Sequence, residues 1–211
     1  MKSSLLPFLA LCLWLSACHN GDQPSSKNPG KDSTAAKDKK PAVKKDDRKP
    51  PIINITDSLQ LKRIVICMKD SAASQERISM KLGQLYGVKL PEIIKKEKLK
   101  VTGQPLAWYH SSKAPFFFDA GIPVNTRPAK LPGNMFIREI KADSAVIAHF
   151  FGPYDMMAKG YEAVREWMKD NKKMPGGEPY EIYITDPIDK NGKPVDPYRV
   201  QTDIVFPVKR Q

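Results

Sequence analysis

The feature that most restricts this chain's fold is an internal repetition. Between residues 59 and 209 the same order of patterns appears twice. The first pass has a β-branched strand, "LQLKRIVICM", and then "SAASQERISMKLGQLYGVKL", with Ile78, Leu82, Leu85 and Tyr86 at helical spacing. Two strands follow, "VTGQPLAWYHSS" and "APFFFDAGIPVN". The second pass has a strand within "MFIREIKADSAVIAHFFG" and a helix in "YDMMAKGYEAVREWMKDN", with Met157, Tyr161, Val164 and Met168 on one face. It closes with the strands "PYEIYITD" and "YRVQTDIVFPVK". Residues 103–109 (GQPLAWY) lie over 177–183 (GEPYEIY), and 119–124 (DAGIPV) over 203–208 (DIVFPV). A βαββ unit used twice predicts an α+β domain with pseudo-twofold symmetry. Antiparallel sheets would carry helices on one face and leave a central cleft for a ligand near the pseudo-axis. The second unit has a longer hairpin, with Asn191-Gly192 as its expected turn.

The repetition breaks at one chemically important position. Glu181 stands in "YEIYI", a segment of aromatic and β-branched residues in which glutamate is unfavoured. Its equivalent in the first unit is Ala107. Side chains alternate along a strand, so Glu181 shares a face with Tyr183, while Tyr180, Ile182 and Ile184 share the other. On a solvated face the glutamate has no special meaning; facing a cleft it is a functional group acquired by one unit only.

The N-terminal quarter has a different character. Lys2 precedes an apolar run, residues 5–15, that is too short to span a bilayer and has the form of a secretory signal. The run ends in Leu15-Ser16-Ala17-Cys18, which resembles the lipobox of bacterial lipoproteins. That resemblance implies a signal peptide over 1–17, cleavage before Cys18, and lipid on Cys18. The alternative is an ordinary signal with a chance cysteine. Residues 18–51 then form a tether rich in Lys, Asp, Pro, Ser and Gly, without the apolar surface needed to offset ordering entropy. The folded domain is expected over 52–211. The tether holds nine Lys or Arg against five Asp, +4 of the formal charge of +12, so the total overstates the basicity of the domain. Such a tether suits an anionic lipid surface, and a secreted, lipidated chain argues against nucleic acid as partner. The expected location is the bacterial cell envelope, facing the periplasm or the exterior. Cys12 leaves with the signal and Cys18 carries lipid, so Cys67 in "IVICM" is unpaired and reads as a small buried hydrophobe.

Four further stretches, "FDAGIPV", "HFFGPYDMMAKGYEAVREWMK", "GGEPYEIYITDP" and "TDIVFPV", make residues 59–209 resemble the GyrI-like, or AraC-type effector-binding, small-molecule-binding family. The resemblance implies two βαββ repeats around a ligand cleft. Family members include effector domains of multidrug-responsive regulators, stand-alone binding proteins and some hydrolases of electrophilic compounds. In the regulators a buried glutamate in an aromatic cleft meets lipophilic cations, and "EPYEIY" places that glutamate at Glu181. The chain has no helix-turn-helix segment and carries a lipobox, so transcriptional control is not implied.

The chemistry suits these residue types. Aromatic walls replace the water a lipophilic cation sheds and add cation–π attraction of about 0.5–2 kcal/mol per ring. A buried carboxylate supplies the counter-charge, and its pKa is expected to be raised. The expected ligand-binding set is Glu181, Tyr183, Tyr109, Trp108, Tyr154 and Tyr161, with core packing as the alternative for each aromatic. Gly160, mid-helix, is read as allowing close approach of helix to sheet. His110 and His149 lie in no metal-spacing cluster, and no cofactor or metal is expected. The competing activity is hydrolysis of a reactive small molecule, with Glu181 as general acid or base and Tyr183 or Tyr109 orienting water. A structural module whose cleft is filled by side chains or by a partner's segment is the third reading. No feature of the sequence specifies a protein partner.

Overall fold

The structure is a computed structural model that describes residues 48–209. Eight strands form one antiparallel sheet, rather than the separate sheets expected from the repetition. In chain order they are β1 (Ile52–Gln60), β2 (Arg63–Ala72), β3 (Leu106–Tyr109), β4 (Phe116–Val124), β5 (Met135–Ile140), β6 (Asp143–Phe151), β7 (Tyr180–Tyr183) and β8 (Gln201–Pro207). Between β2 and β3 lie α1 (Gln75–Gln84), a π-helical turn (Leu85–Lys89) and α2 (Leu90–Lys96), which run on as one helical segment. Between β6 and β7 lies α3 (Met157–Asp170), entered through a 3-10 turn at Tyr154–Met156.

The sheet order is β1-β6-β8-β7-β3-β4-β2-β5. The order from either end inward is edge strand, then the first, third and second strands of a unit, and the two halves meet at β7 and β3. Ala107 sits directly opposite Glu181 at this junction. Residues aligned by the repetition are therefore paired with each other at the centre of the sheet.

Short links make the sheet curl. β1 and β2 are first and seventh in the order, and only Leu61 and Lys62 join them. In a flat sheet these strands would stand about 29 Å apart, at about 4.8 Å per spacing. The link reaches about 10 Å at most. Lys141 and Ala142 impose the same closure between β5 and β6. The edges bend toward the face without helices. There the Tyr180 hydroxyl donates to the Gln60 side chain at 3.1 Å, and the Arg138 guanidinium lies 4.2 Å from the Trp108 ring centroid.

The strand register sorts residues to the two faces. One row across the sheet runs Met68, Ala120, Ala107, Glu181, Ile204, Ala148, Ile55. This is the helical face, because Met68 and Ala120 pack with Leu85, Leu90 and Ile94, and Ile204 and Ala148 pack with Val164 and Met168. The concave face holds a third core, including Cys67, Leu106, Trp108, Tyr180 and Val205. Burial pushes the Cys67 thiol up to about 12, so it stays protonated and packs as a hydrophobe. Gly160 permits the close packing read from the sequence: a Cβ there would stand 2.5 Å from Ile204 Cδ1 and 3.1 Å from Phe150 Cδ2.

Two expectations change. "LQLKRIVICM" and "MFIREIKADSAVIAHFFG", each expected to hold one strand, each span parts of two. β1 itself was not anticipated, although Ile53 and Ile55 alternate with Asn54 and Thr56. Its apolar residues pack against the α3 side of the sheet. The hairpin turn does fall at Asn191-Gly192, with Gly192 at φ +76° and its amide bonded to the Asp189 carbonyl. The expected signal over 1–17, Cys18 and most of the tether lie outside the described residues.

Candidate functional site

β7 is four residues long, and its two faces meet different surroundings. Glu181 points to the helical face with only 5% of its surface exposed. Its row neighbours are Ala107 and Ile204, neither of which offers a polar side chain. Tyr161, from α3, donates a hydrogen bond to Glu181 Oε1 at 3.1 Å. No cationic side chain pairs with Glu181 among the described residues. Burial raises its acid to about 7, against the opposing pull of hydrogen bonds from Tyr161 and Tyr183.

A cluster of tyrosines surrounds this acid. The Tyr109 and Tyr183 hydroxyls meet at 2.8 Å across the β3–β7 junction. The Tyr86 ring lies 5.9 Å from that of Tyr183, and its hydroxyl donates to the Leu106 carbonyl at 2.7 Å. Tyr154 stands edge-on to Tyr183 at 6.5 Å and is 40% exposed, which places it at the rim. Desolvation raises the hydroxyl pKa of Tyr86, Tyr109, Tyr154, Tyr161 and Tyr183, with the Glu181 charge adding to it. All five remain neutral donors at physiological pH.

The structure thus brings together Glu181, Tyr183, Tyr109, Tyr154 and Tyr161 from the sequence-derived set. It does not bring in Trp108. That side chain points to the concave face, 3% exposed, with its ring 5.4 Å from Tyr180. The physical reason is register: Trp108 is one residue from Ala107, and neighbouring strand residues face opposite ways. Tyr86 belongs to the cluster, although its sequence spacing marks it only as a helix-face residue. It lies in the π-helical turn, a rare element in which the extra residue rotates the side chains that follow. Nothing in the spacing of Ile78, Leu82 and Leu85 signals that extra residue.

On the concave face, four polar side chains close a ring. Arg138 donates to Asp119 Oδ2 and to Glu178 Oε2, both at 2.8 Å. His110 lies 3.0 Å from Asp119 Oδ2 through Nε2 and 2.7 Å from Glu178 Oε1 through Nδ1. Asp119 is 3% exposed. The ring ties the segment before β7 to β3, β4 and β5. His149 pairs with Asp203 at 2.8 Å. Among the described residues no group of three or more His, Cys, Asp and Glu side chains has the arrangement of a metal site.

This fold is shared with domains of known structure. The C-terminal domain of EcmrR matches with a TM-score of 0.59 and 23% identity, over 76% of this chain and 99% of that one. EcmrR in its complex with DNA matches with a TM-score of 0.61 and 24% identity, over 75% of this chain. The matched region spans 58% of that longer EcmrR chain. The structure of SAV2435 bound to tetraphenylphosphonium is a more distant match, with a TM-score of 0.46 and 12% identity over 75% of this chain and 94% of that one. No curated protein matches the chain in sequence. The chain belongs to the GyrI-like family: the model of the GyrI-like small molecule binding domain matches residues 72–209.

Proposed function

We propose that this protein is a lipid-anchored component of the bacterial envelope that binds amphiphilic, cationic small molecules between its helices, with Glu181 as counter-charge. The observation that carries the reading is a buried carboxylate with no cationic partner among the described residues, enclosed by five tyrosines. A carboxylate in such a place is costly when charged, and an incoming cation removes that cost. Tyrosine faces suit the cation's body, and their hydroxyls hold the acid. Entry requires the rings to part, and Tyr154 at the rim is placed to move first. The test is calorimetric titration with tetraphenylphosphonium and with neutral triphenylphosphine oxide. The cation is expected to bind one per chain and more tightly. Equal affinity for the two, or turnover of an electrophilic ester abolished by Glu181→Gln, would overturn this reading, the latter in favour of a hydrolase.

The anchoring half of the proposal rests on Leu15-Ser16-Ala17-Cys18. Cys18→Ser is expected to move the protein from the membrane fraction to the soluble one and to abolish lipid labelling. Labelling that survives the substitution would place the lipid elsewhere.

A further inference from the structure

The concave face carries a cation that its own fold does not satisfy. Arg63 opens β2 and is half-buried, and its Nη1 is buried without a hydrogen-bond partner. No ion pair or side-chain hydrogen bond reaches its guanidinium from the described residues. A guanidinium has five donors, and leaving a buried one unmet is unfavourable. The contrast on the same face is Arg138, which is met by two carboxylates.

Arg63 lines a recess of about 210 Å³. Gln60 and Gln104 add polar groups to its wall, and Leu61, Ile147 and Ile184 make it apolar. Tyr180 also lines it, and its hydroxyl is engaged by Gln60. Asp203 contributes the recess's carboxylate. Its Oδ1 already meets His149 Nδ1 and Gln201 Nε2, each at 2.8 Å, and it makes no ion pair with Arg63. The recess therefore combines an unmet planar cation with hydrocarbon walls.

We propose that this recess is a second binding site, selective for a small carboxylate amphiphile, with Arg63 as its counter-charge. The guanidinium fork matches a carboxylate in two parallel hydrogen bonds. At about 30 Å³ for each water-sized group, the volume holds roughly seven such groups, the size of a medium-chain acid. A longer tail would emerge past Leu59 and Leu61, which are 69% and 67% exposed. The two sites lie on opposite faces of one short strand: Glu181 and Tyr183 face the helices, Tyr180 and Ile182 the Arg63 recess. They attract ligands of opposite sign.

The test uses the full chain, with octanoate and uncharged 1-octanol as probes in calorimetry. Octanoate is expected to bind one per chain and more tightly than octanol. Arg63→Met should weaken octanoate about 10- to 100-fold, the scale of a hydrogen-bonded charge, and leave octanol unchanged. Leu61→Asp places a like charge at the mouth without touching the core and should also weaken octanoate selectively, so the proposal survives a poorly folded Arg63 variant. Octanoate binding that ignores both substitutions, or equals that of octanol, would overturn it. So would displacement of octanoate by tetraphenylphosphonium or its loss in Glu181→Gln, because either result seats the acid on the helical face. Failure of tetraphenylphosphonium to bind bears on Glu181 alone.

Discussion

Replacing Glu181 with glutamine will weaken a lipophilic cation by about 2–5 kcal/mol, the range for removing one partner of a buried charge pair. A neutral ligand of the same size will lose far less, because glutamine keeps the shape of the wall. The pH dependence gives a second signature. The acid titrates at about 7 in the folded protein, so a proton competes with the cation below that value. Cation affinity should rise from pH 6 to pH 8 in the native protein and stay flat in Glu181→Gln. The stability profile runs the other way. The folded pKa is raised from an ordinary 4.5, so between about 4.5 and 7 the native state holds more protons than the unfolded one. Ligand-free stability contributed by this group falls as pH rises through that window. At about 1.4 kcal/mol per pKa unit, the penalty at pH 8 is on the order of 3 kcal/mol. Glu181→Gln should therefore be the more stable protein at pH 8 by up to that amount, as read by urea unfolding. A variant that binds cations normally and unfolds with the native pH profile would return Glu181 to a packing role.

The other large effect is expected on the concave face. Arg138→Met removes both guanidinium bonds of the ring and leaves Asp119 buried, with His110 Nε2 as its remaining side-chain contact there. Breaking a buried pair from one side costs about 3–5 kcal/mol, and the surviving histidine contact points to the lower end. The expected loss is about 3 kcal/mol in urea unfolding, with cation binding at Glu181 retained once the protein is folded. A loss below about 1 kcal/mol would class the ring with exposed ion pairs. Glu178 belongs to the same ring. Its hydrogen bonds from Arg138 and His110 outweigh desolvation and lower its pKa. Its stabilisation is therefore present above the ordinary glutamate pKa and disappears as pH falls through the lowered one.

Some of this was legible in the chain before any coordinates. Glu181 stood out because an acid between tyrosines contradicts strand preference, and alternation alone put it on the face of Tyr183. The α3 face of Met157, Val164 and Met168 follows from spacing, and Gly160 from its place mid-helix. These are local properties, set within a few residues by backbone geometry. Other features required contacts between residues far apart in sequence. Alternation separates Trp108 from Tyr109 but does not say which face the helices cover, and only the register across β3, β4 and β7 put Trp108 on the concave side. The closeness of Gln60 to Tyr180, 120 residues on, depends on a two-residue link that forces the sheet to curl. The π-helical turn that delivers Tyr86, and the recess that leaves Arg63 unmet, exist only because packed elements fix them. Sequence by itself determined which side chains share a face of a strand or helix. The tertiary structure alone decided what each face meets, because burial and charge pairing arise from neighbours that the local chain does not contain.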